Sequence, residues 1–456
     1  MLVSALSYFA YGLVVTAGVF VGGTLVTMLV GLIAGLLRFG GPRWLKPLVV
    51  VFVEVFRGTS ALVQLFWFYY VLPFFGIDLP AWQVGILVLG LHGGAYGAEI
   101  VRGALQAVPR GQWEVSRALN LSSVQTLIKV QLPQAIPAML PPAGNLGIEV
   151  LKLTALTTLI DLHELMYQAK ILSDNTPDDK FTVYLVVMAL YFLLAMAFIL
   201  PLRRMECREF RLKWGARLQD TAKRLFDRIP ARGLFVVVSL LAVAALAMLP
   251  MIWWRGFQRA HMLGQDLWNW ALVGEILPLL LQGLQITLIA TASGYVLALA
   301  LGLLWAGLQR IRSLRPVLRW GLEFIRSTPL LTQLMLVFYG LLPLIGWQLP
   351  PLLVGITVLG LHISTYTAEV YRAGLDDIPP GQMDAARALG LSPLQTFVRI
   401  LLPQAVPRCV PALGNYLLSI FKETPLLSVI TVGEMLAVAN QVTADHFRSI
   451  EAFTQV

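Results

Sequence analysis

Four ionisable side chains interrupt stretches that are otherwise apolar. Glu149 and Lys152 stand three apart in GNLGIEVLKLTALTTLI, and Lys422 and Glu423 are neighbours in GNYLLSIFKETPLLSVI. An Asp, Lys or Arg at the centre of a membrane helix costs roughly 2.5–3.5 kcal/mol on insertion scales, so such groups are functional suspects. Together with Asn145, Asn415, Thr154 and Thr424 they offer acceptors for an ammonium and donors for a carboxylate, which is what a zwitterion needs. The plainer reading is that each pair simply neutralises itself, Glu149 and Lys152 at the i,i+3 spacing that lets side chains meet on any helix. Both readings stand at this level. Gly58-Thr59-Ser60 and Ser327-Thr328-Pro329 add a second feature, because a broken membrane helix can aim backbone N–H groups at a carboxylate. The two Glu are matched by two Lys, so charge alone selects none of the cationic, neutral amide or acidic ligands.

The elements that carry these residues are membrane helices. The 456 residues are 57% hydrophobic and 13% charged with a mean hydropathy of +0.74, whereas soluble domains hold about 25% charged residues. In the first half, helices are expected near 8–37, 47–75, 82–104, 134–160 and 181–201, each long enough for a hydrocarbon core of about 30 Å. The segment beginning at His92, HGGAYGAEIVRGALQAVPRGQWEVSRALNLSSVQTLIKVQLPQAIP, aligns without a gap to the one beginning at His362, at an offset of 270 residues. VEVFRGTSALVQLFWFYY matches LEFIRSTPLLTQLMLVFY at an offset of 269. A unit is therefore written twice in the same direction: residues 1–202, then 271–456.

Charge sets the topology. Arg38, Arg43 and Lys46 place the first loop inside. The segment from Arg203 to Arg232 carries ten Lys/Arg against four Asp/Glu, the mark of a cytoplasmic loop rather than of nucleic-acid binding. Residues 203–270 then form a basic linker with one extra helix near 233–254, the odd crossing a tandem copy needs to keep its orientation. The second copy is expected to stop short of its fifth helix, leaving about ten helices in all. Cys207 and Cys409 suggest no disulfide, and His92 and His362, so far apart, make no case for a metal. The pairs Glu99/Arg102, Glu369/Arg372, Glu54/Arg57 and Glu323/Arg326 read as structural pins at helix ends.

Each half also carries a polar loop of shared grammar. In IPPGQMDAARALGLSPLQTFVRILLPQA, Pro379, Pro380 and Gly381 end one helix and a short helix runs through Asp384, Ala385, Ala386 and Arg387. Gly390 then closes it and Ser392 caps the next. Gly111, Glu114, Ala118 and Leu119 hold the matching positions in the first loop. Such a surface suits a groove on a soluble partner.

These loops resemble the EAA motif of ABC importer permeases, and RGTSALVQ, RSTPLLTQ, AEIVRGALQAVPRGQ and AEVYRAGLDDIPPGQ resemble its polar amino-acid branch. The resemblance implies an all-α, MetI-like type I importer fold in tandem, in the bacterial inner membrane. It implies an ATPase subunit dimer below, which would hold ATP and Mg, and a periplasmic or lipid-anchored amino acid binding protein above. The first loop departs from the motif: Val115, Ser116 and Asn120 replace the usual Ala, Ala and Gly, and RGTSA lacks the proline seen as Pro329. The second half is therefore expected to grip its partner better. No GxxxxGK[ST] phosphate cradle occurs and Lys never follows Gly, so energy must arrive through a partner. An ion-coupled secondary transporter or a channel is the rival reading, although neither needs a docking loop repeated on one side.

Overall fold

A computed structural model describes residues 2–206, 250–258 and 268–456. Cys207, most of the basic linker and residues 233–249 of the expected extra helix lie outside them. Every regular element among the described residues is helical. In the first repeat these are α1 (Leu2–Gly40), α2 (Lys46–Gly58), α3 (Ala61–Phe66), α4 (Ala81–Gln106), α5 (Arg110–Ala118), α6 (Leu132–Leu153), α7 (Leu165–Asn175) and α8 (Lys180–Glu206). The second repeats the order with α9 (Trp270–Leu308), α10 (Arg315–Ser327), α11 (Leu330–Met335), α12 (Pro351–Asp376), α13 (Pro380–Ala388), α14 (Leu402–Glu423), α15 (Met435–His446) and α16 (Ser449–Thr454). Six single helices are long and apolar enough to cross a membrane, and three bent pairs raise the number to nine among the described residues.

Two expectations change. The segment expected over 47–75, with its break at Gly58-Thr59-Ser60, is not a nearly straight crossing: it bends by 107° between α2 and Ala61–Phe75, and its counterpart bends by 104°. Thr59 and Thr328 are extended at ψ 158° and 148°, which ends the first helix of each pair. Pro329 is therefore not what makes the bend, since Ser60 adopts nearly the same dihedrals (φ −68°, ψ 137°) without a pyrrolidine ring. The helix expected over 134–160 belongs to a longer run, Ser123–Ile160. Its last turn tightens to 3₁₀ over Thr154–Ile160 and stops on Asp161 at φ 62°, as Thr431 does at φ 64°.

The chain packs as two compact units that do not follow it linearly. One comprises Met1–Leu172, Leu193–Val273 and Arg448–Gln455; the other comprises Ser173–Phe192, Gly274–Phe447 and Val456. In the first, Phe453 stacks on Tyr70 with centroids 5.7 Å apart, and Ser449 Oγ donates to the Tyr70 carbonyl at 3.1 Å. Fully buried Glu451 holds Arg448 and accepts from Asn269 N at 2.8 Å. In the second, Phe181 backs onto Gly340, where a Cβ would meet Phe181 Cα at 2.9 Å, and Phe192 meets Phe324 at 5.2 Å.

Equivalent helix pairs differ at the position of Gly97. Between α1 and α4 the backbones approach until a Cβ on Gly31 would lie 3.0 Å from Gly97 Cα, a small-residue contact of the kind that drives helix association in lipid. Between α9 and α12, Thr367 takes the place of Gly97. Its hydroxyl donates to the Ala298 carbonyl at 2.8 Å, and Trp305 Nε1 donates to Ser364 Oγ at 3.0 Å.

Candidate functional site

The two polar loops share one backbone. α5 and α13 each end in a left-handed residue, Asn120 at φ 60° and Gly390 at φ 68°. Leu121 N donates to Ser116 O at 3.0 Å and Asn120 N to Arg117 O at 2.9 Å, the paired bonds of a Schellman motif. Leu391 N to Ala386 O and Gly390 N to Arg387 O repeat them at 3.1 and 3.0 Å. Asn tolerates the left-handed region, so its replacement of glycine leaves the loop's shape intact. A capping box follows each time: Gln125 N donates to Ser122 Oγ while Ser122 N donates to Gln125 Oε1, and Gln395 pairs with Ser392 in the same way.

The repeated glutamines now have a reason. Gln134 Nε2, in the first turn of α6, donates to Gln112 Oε1 on α5 at 3.3 Å, and Gln404 to Gln382 at 3.4 Å. Ser116 and Ala386 are the buried positions of the short helices, and the Ser116 hydroxyl is taken up by Gln112 O at 2.6 Å. Outward lie Gly111, Glu114, Ala118, Gly381, Asp384 and Ala385. Leu119 and Leu389 are 69% and 75% exposed, so each loop presents an apolar tip in a polar setting.

Each helix break is knotted by a buried amide. Gln64 Nε2 donates to Phe56 O at 2.9 Å and to Thr59 Oγ1 at 2.6 Å, serving a carbonyl that the end of α2 leaves without a helical partner. The Thr59 hydroxyl in turn donates to Val55 O at 2.8 Å. Gln333 does the same for Ile325 O at 2.7 Å and Thr328 Oγ1 at 3.0 Å. With the NH₂ group on carbonyls, each Gln Oε1 faces a histidine: His92 Nδ1 at 3.2 Å and His362 Nδ1 at 3.1 Å. A carbonyl can only accept, so Nδ1 is the protonated nitrogen in both. The repeated histidines thus fasten the breaks. The sequence carried the signal in VQ, TQ and the paired His, but nothing in it linked them. The breaks expose Gly58 and Thr59, whereas Ser327 and Thr328 are buried and Ser60 is half-buried.

Of the charged helix residues, Lys152 and Glu149 are brought together, with Nζ to Oε1 at 2.8 Å. Lys152 is buried while Glu149 is half exposed. Lys422 and Glu423 are both half-buried at the end of α14, and Asn145 and Asn415 are exposed on their helices. Thr154 and Thr424 are fully buried, and their hydroxyls donate to Leu151 O at 2.6 Å and Phe421 O at 2.7 Å, where the helix tightens.

Two buried carboxylates went unremarked in the sequence. Glu164 Oε1 accepts from Met166 N and Tyr167 N at 2.7 and 3.0 Å, at the start of α7. Glu434 accepts from Leu436 N and Ala437 N at 2.9 and 2.8 Å, at the start of α15. Both are 0% exposed, and HEL and GEM at matching repeat positions were the only hint.

Three of the expected pins form, Glu99/Arg102, Glu323/Arg326 and Glu369/Arg372, while Glu54 is joined to Arg38 in place of Arg57. Glu99 accepts from Arg102 and Arg38, with the Arg57 guanidinium 3.9 Å away; Arg38 also approaches Glu54 at 3.5 Å. In the second half Glu323 pairs with Arg326, and Arg372 joins Glu369 at 2.8 Å to Asp376 at 3.4 Å.

A duplicated helical unit with six to nine candidate spans among the described residues is the architecture of a multi-pass membrane protein. The family of binding-protein-dependent transport system inner membrane components matches residues 27–204 and again 298–453, and the chain belongs to that family. Similar proteins include the probable amino-acid ABC transporter permease protein y4tG of Sinorhizobium fredii, 43% identical over 189 residues, 40% of this chain and 79% of that protein. The probable glutamine ABC transporter permease protein GlnP of Bacillus subtilis is 34% identical over 200 residues, 43% of this chain and 92% of that protein. A crystal structure of an amino acid ABC transporter with histidines is 33% identical with a TM-score of 0.42, covering 45% of this chain and 95% of the other.

Proposed function

We propose that this chain is the permease of an ATP-driven importer that moves polar or charged amino acids into the cytoplasm of a bacterium. Residues 1–202 and 271–456 act as its two permease units, joined by 203–270. The observation that carries the reading is the pair of loops with matching hydrogen bonds, each fastened to the following helix by a glutamine pair and tipped by an exposed leucine. Such surfaces suit two copies of an ATPase subunit, which bind ATP and Mg and hydrolyse the nucleotide while this chain does not. A periplasmic or lipid-anchored binding protein delivers the amino acid from the other side. Glu149, Lys152, Asn145, Asn415, Lys422 and Glu423, with the two breaks, supply the polar groups of the path. The relatives support the substrate class, since their names include glutamine, arginine and nopaline transport. Nothing supports the ion-coupled alternative.

The test is capture. The tagged chain, co-expressed with the ATPase encoded nearest its gene, is expected to bring that subunit down after detergent extraction. Gly390→Arg puts a long side chain at φ 68°, where Cβ is strained, and should release the ATPase without loss of membrane insertion. Capture of no ATPase by the unaltered chain would contradict the reading.

A further inference from the structure

We infer that the buried pairs Gln64–His92 and Gln333–His362 are the struts through which motion of the coupling loops reaches the helix breaks of the substrate path; this rests on the importer reading above. Three observations converge on the first pair. His92 lies on α4, which continues as one rod to Gln106, about 21 Å away at 1.5 Å per residue. The connection from α4 to α5 has no slack: Ala107 N donates to Gly103 O at 3.0 Å, Val108 N to Leu105 O at 3.4 Å and Gln112 N to Pro109 O at 3.0 Å. At the other end His92 Nδ1 meets Gln64 Oε1 at 3.2 Å, and the same amide holds Phe56 O and Thr59 Oγ1 on the far side of the 107° bend. A displacement of α5 is therefore carried along α4 to the Glu99–Arg57 contact and to this buried hydrogen bond, and the bond joins it to the bend itself.

The second half builds the same line from different residues. Asp377 N donates to Ala373 O at 3.0 Å, Ile378 N to Leu375 O at 3.4 Å and Gln382 N to Pro379 O at 3.0 Å. His362 Nδ1 meets Gln333 Oε1 at 3.1 Å, and Gln333 Nε2 holds Ile325 O at 2.7 Å. Side chains on the contacting faces of the rods differ between the halves, Gly97 against Thr367, yet the Gln and the His persist, 28 residues apart in the first half and 29 in the second. A break that needed only local capping would require the glutamine but not the histidine. Gln64, His92, Gln333 and His362 are thus positioning residues: they act on the path through the breaks.

The experiment measures ATP hydrolysed per amino acid imported, in vesicles holding the chain with its ATPase and binding protein. His92→Leu removes the Nδ1–H donor, His92→Gln keeps an N–H donor, and the double change Gln64→Leu/His92→Leu removes both partners. The inference expects His92→Leu to raise the ratio about fivefold to tenfold, His92→Gln to stay within about twofold of the unaltered chain, and the double variant to be no worse than His92→Leu; such factors follow from losing a hydrogen bond worth up to about one decade in an equilibrium. If His92→Leu fails to insert, His362→Leu reads the second strut in the same assay. A merely structural role lowers uptake and hydrolysis together and leaves the ratio unchanged, and that result overturns the inference. Absence of ATP-driven uptake in the unaltered chain overturns the importer reading instead, so the two failures are distinguishable.

Discussion

Gln134 Nε2 lies 3.3 Å from Gln112 Oε1, joining the first turn of α6 to the short helix that stands outside the helical body. Gln404 and Gln382 keep the same bond at 3.4 Å. The exposed loop helix is therefore held at two points, by its junction with α4 and by this side-chain bond. It can transmit force instead of swinging freely.

Removing that bond should weaken coupling. Replacing Gln112 or Gln382 by Leu forfeits a hydrogen bond worth about 0.5–1.5 kcal/mol, which is up to roughly a tenfold change in an equilibrium. ATP-driven uptake is expected to fall severalfold in each single variant, and by the product of the two losses in the double variant. Uptake unchanged in the double variant would show that the bond holds nothing.

The left-handed positions make an asymmetric prediction. Gly390→Ala is expected to destabilise its loop by about 1–2 kcal/mol, the cost of Cβ at positive φ, while Asn120→Gly should change little. Hydrogen exchange of the amides around Arg387–Leu391 and Arg117–Leu121 reports it. Faster exchange in Asn120→Gly than in Gly390→Ala is the contrary outcome.

Much of this was legible before any coordinates. The repeat at an offset of 269–270 residues, the polar loops and the helix breaks all rest on residue types with strong local meaning: Gly at a left-handed cap, Ser before a helix, Pro or Thr at an interruption. The sharpness of the bends was not legible, because helices on either side of Thr59 are both apolar and composition does not record direction. Long-range pairings were equally hidden. Gln64 and His92 are 28 residues apart and Gln112 and Gln134 are 22 apart, and neither separation carries a periodicity. Glu164 and Glu434 escaped notice because a carboxylate near a helix start normally reads as solvated, whereas these are fully buried.

Those two carboxylates are open to test. Glu434→Leu leaves the N–H groups of Leu436 and Ala437 without their acceptor, at an expected cost of about 1–3 kcal/mol for buried donors. Glu434→Gln keeps one oxygen and should cost less. Thermal unfolding of the purified chain in detergent should rank the midpoints as unaltered, then Gln, then Leu. Equal midpoints for Leu and the unaltered chain would remove the capping role.

The α1–α4 contact predicts a difference between the halves. Gly31→Leu drives a side chain against the Gly97 backbone 3.0 Å away, and overpacking of this kind costs typically about 1–3 kcal/mol. Thr367→Val in the second half loses one hydrogen bond to Ala298 O, and membrane hydrogen bonds of this kind average about 0.6 kcal/mol. Melting curves should show the larger drop for Gly31→Leu.

The chain is proposed to import amino acids by borrowing ATP hydrolysis from a partner. The most direct test is uptake of labelled arginine, histidine, glutamine and glutamate by vesicles holding the chain with its ATPase and binding protein, with and without ATP at the ATPase face. The account predicts accumulation of at least one of them only when ATP and binding protein are both present. Accumulation driven by an ion gradient and indifferent to ATP would contradict it.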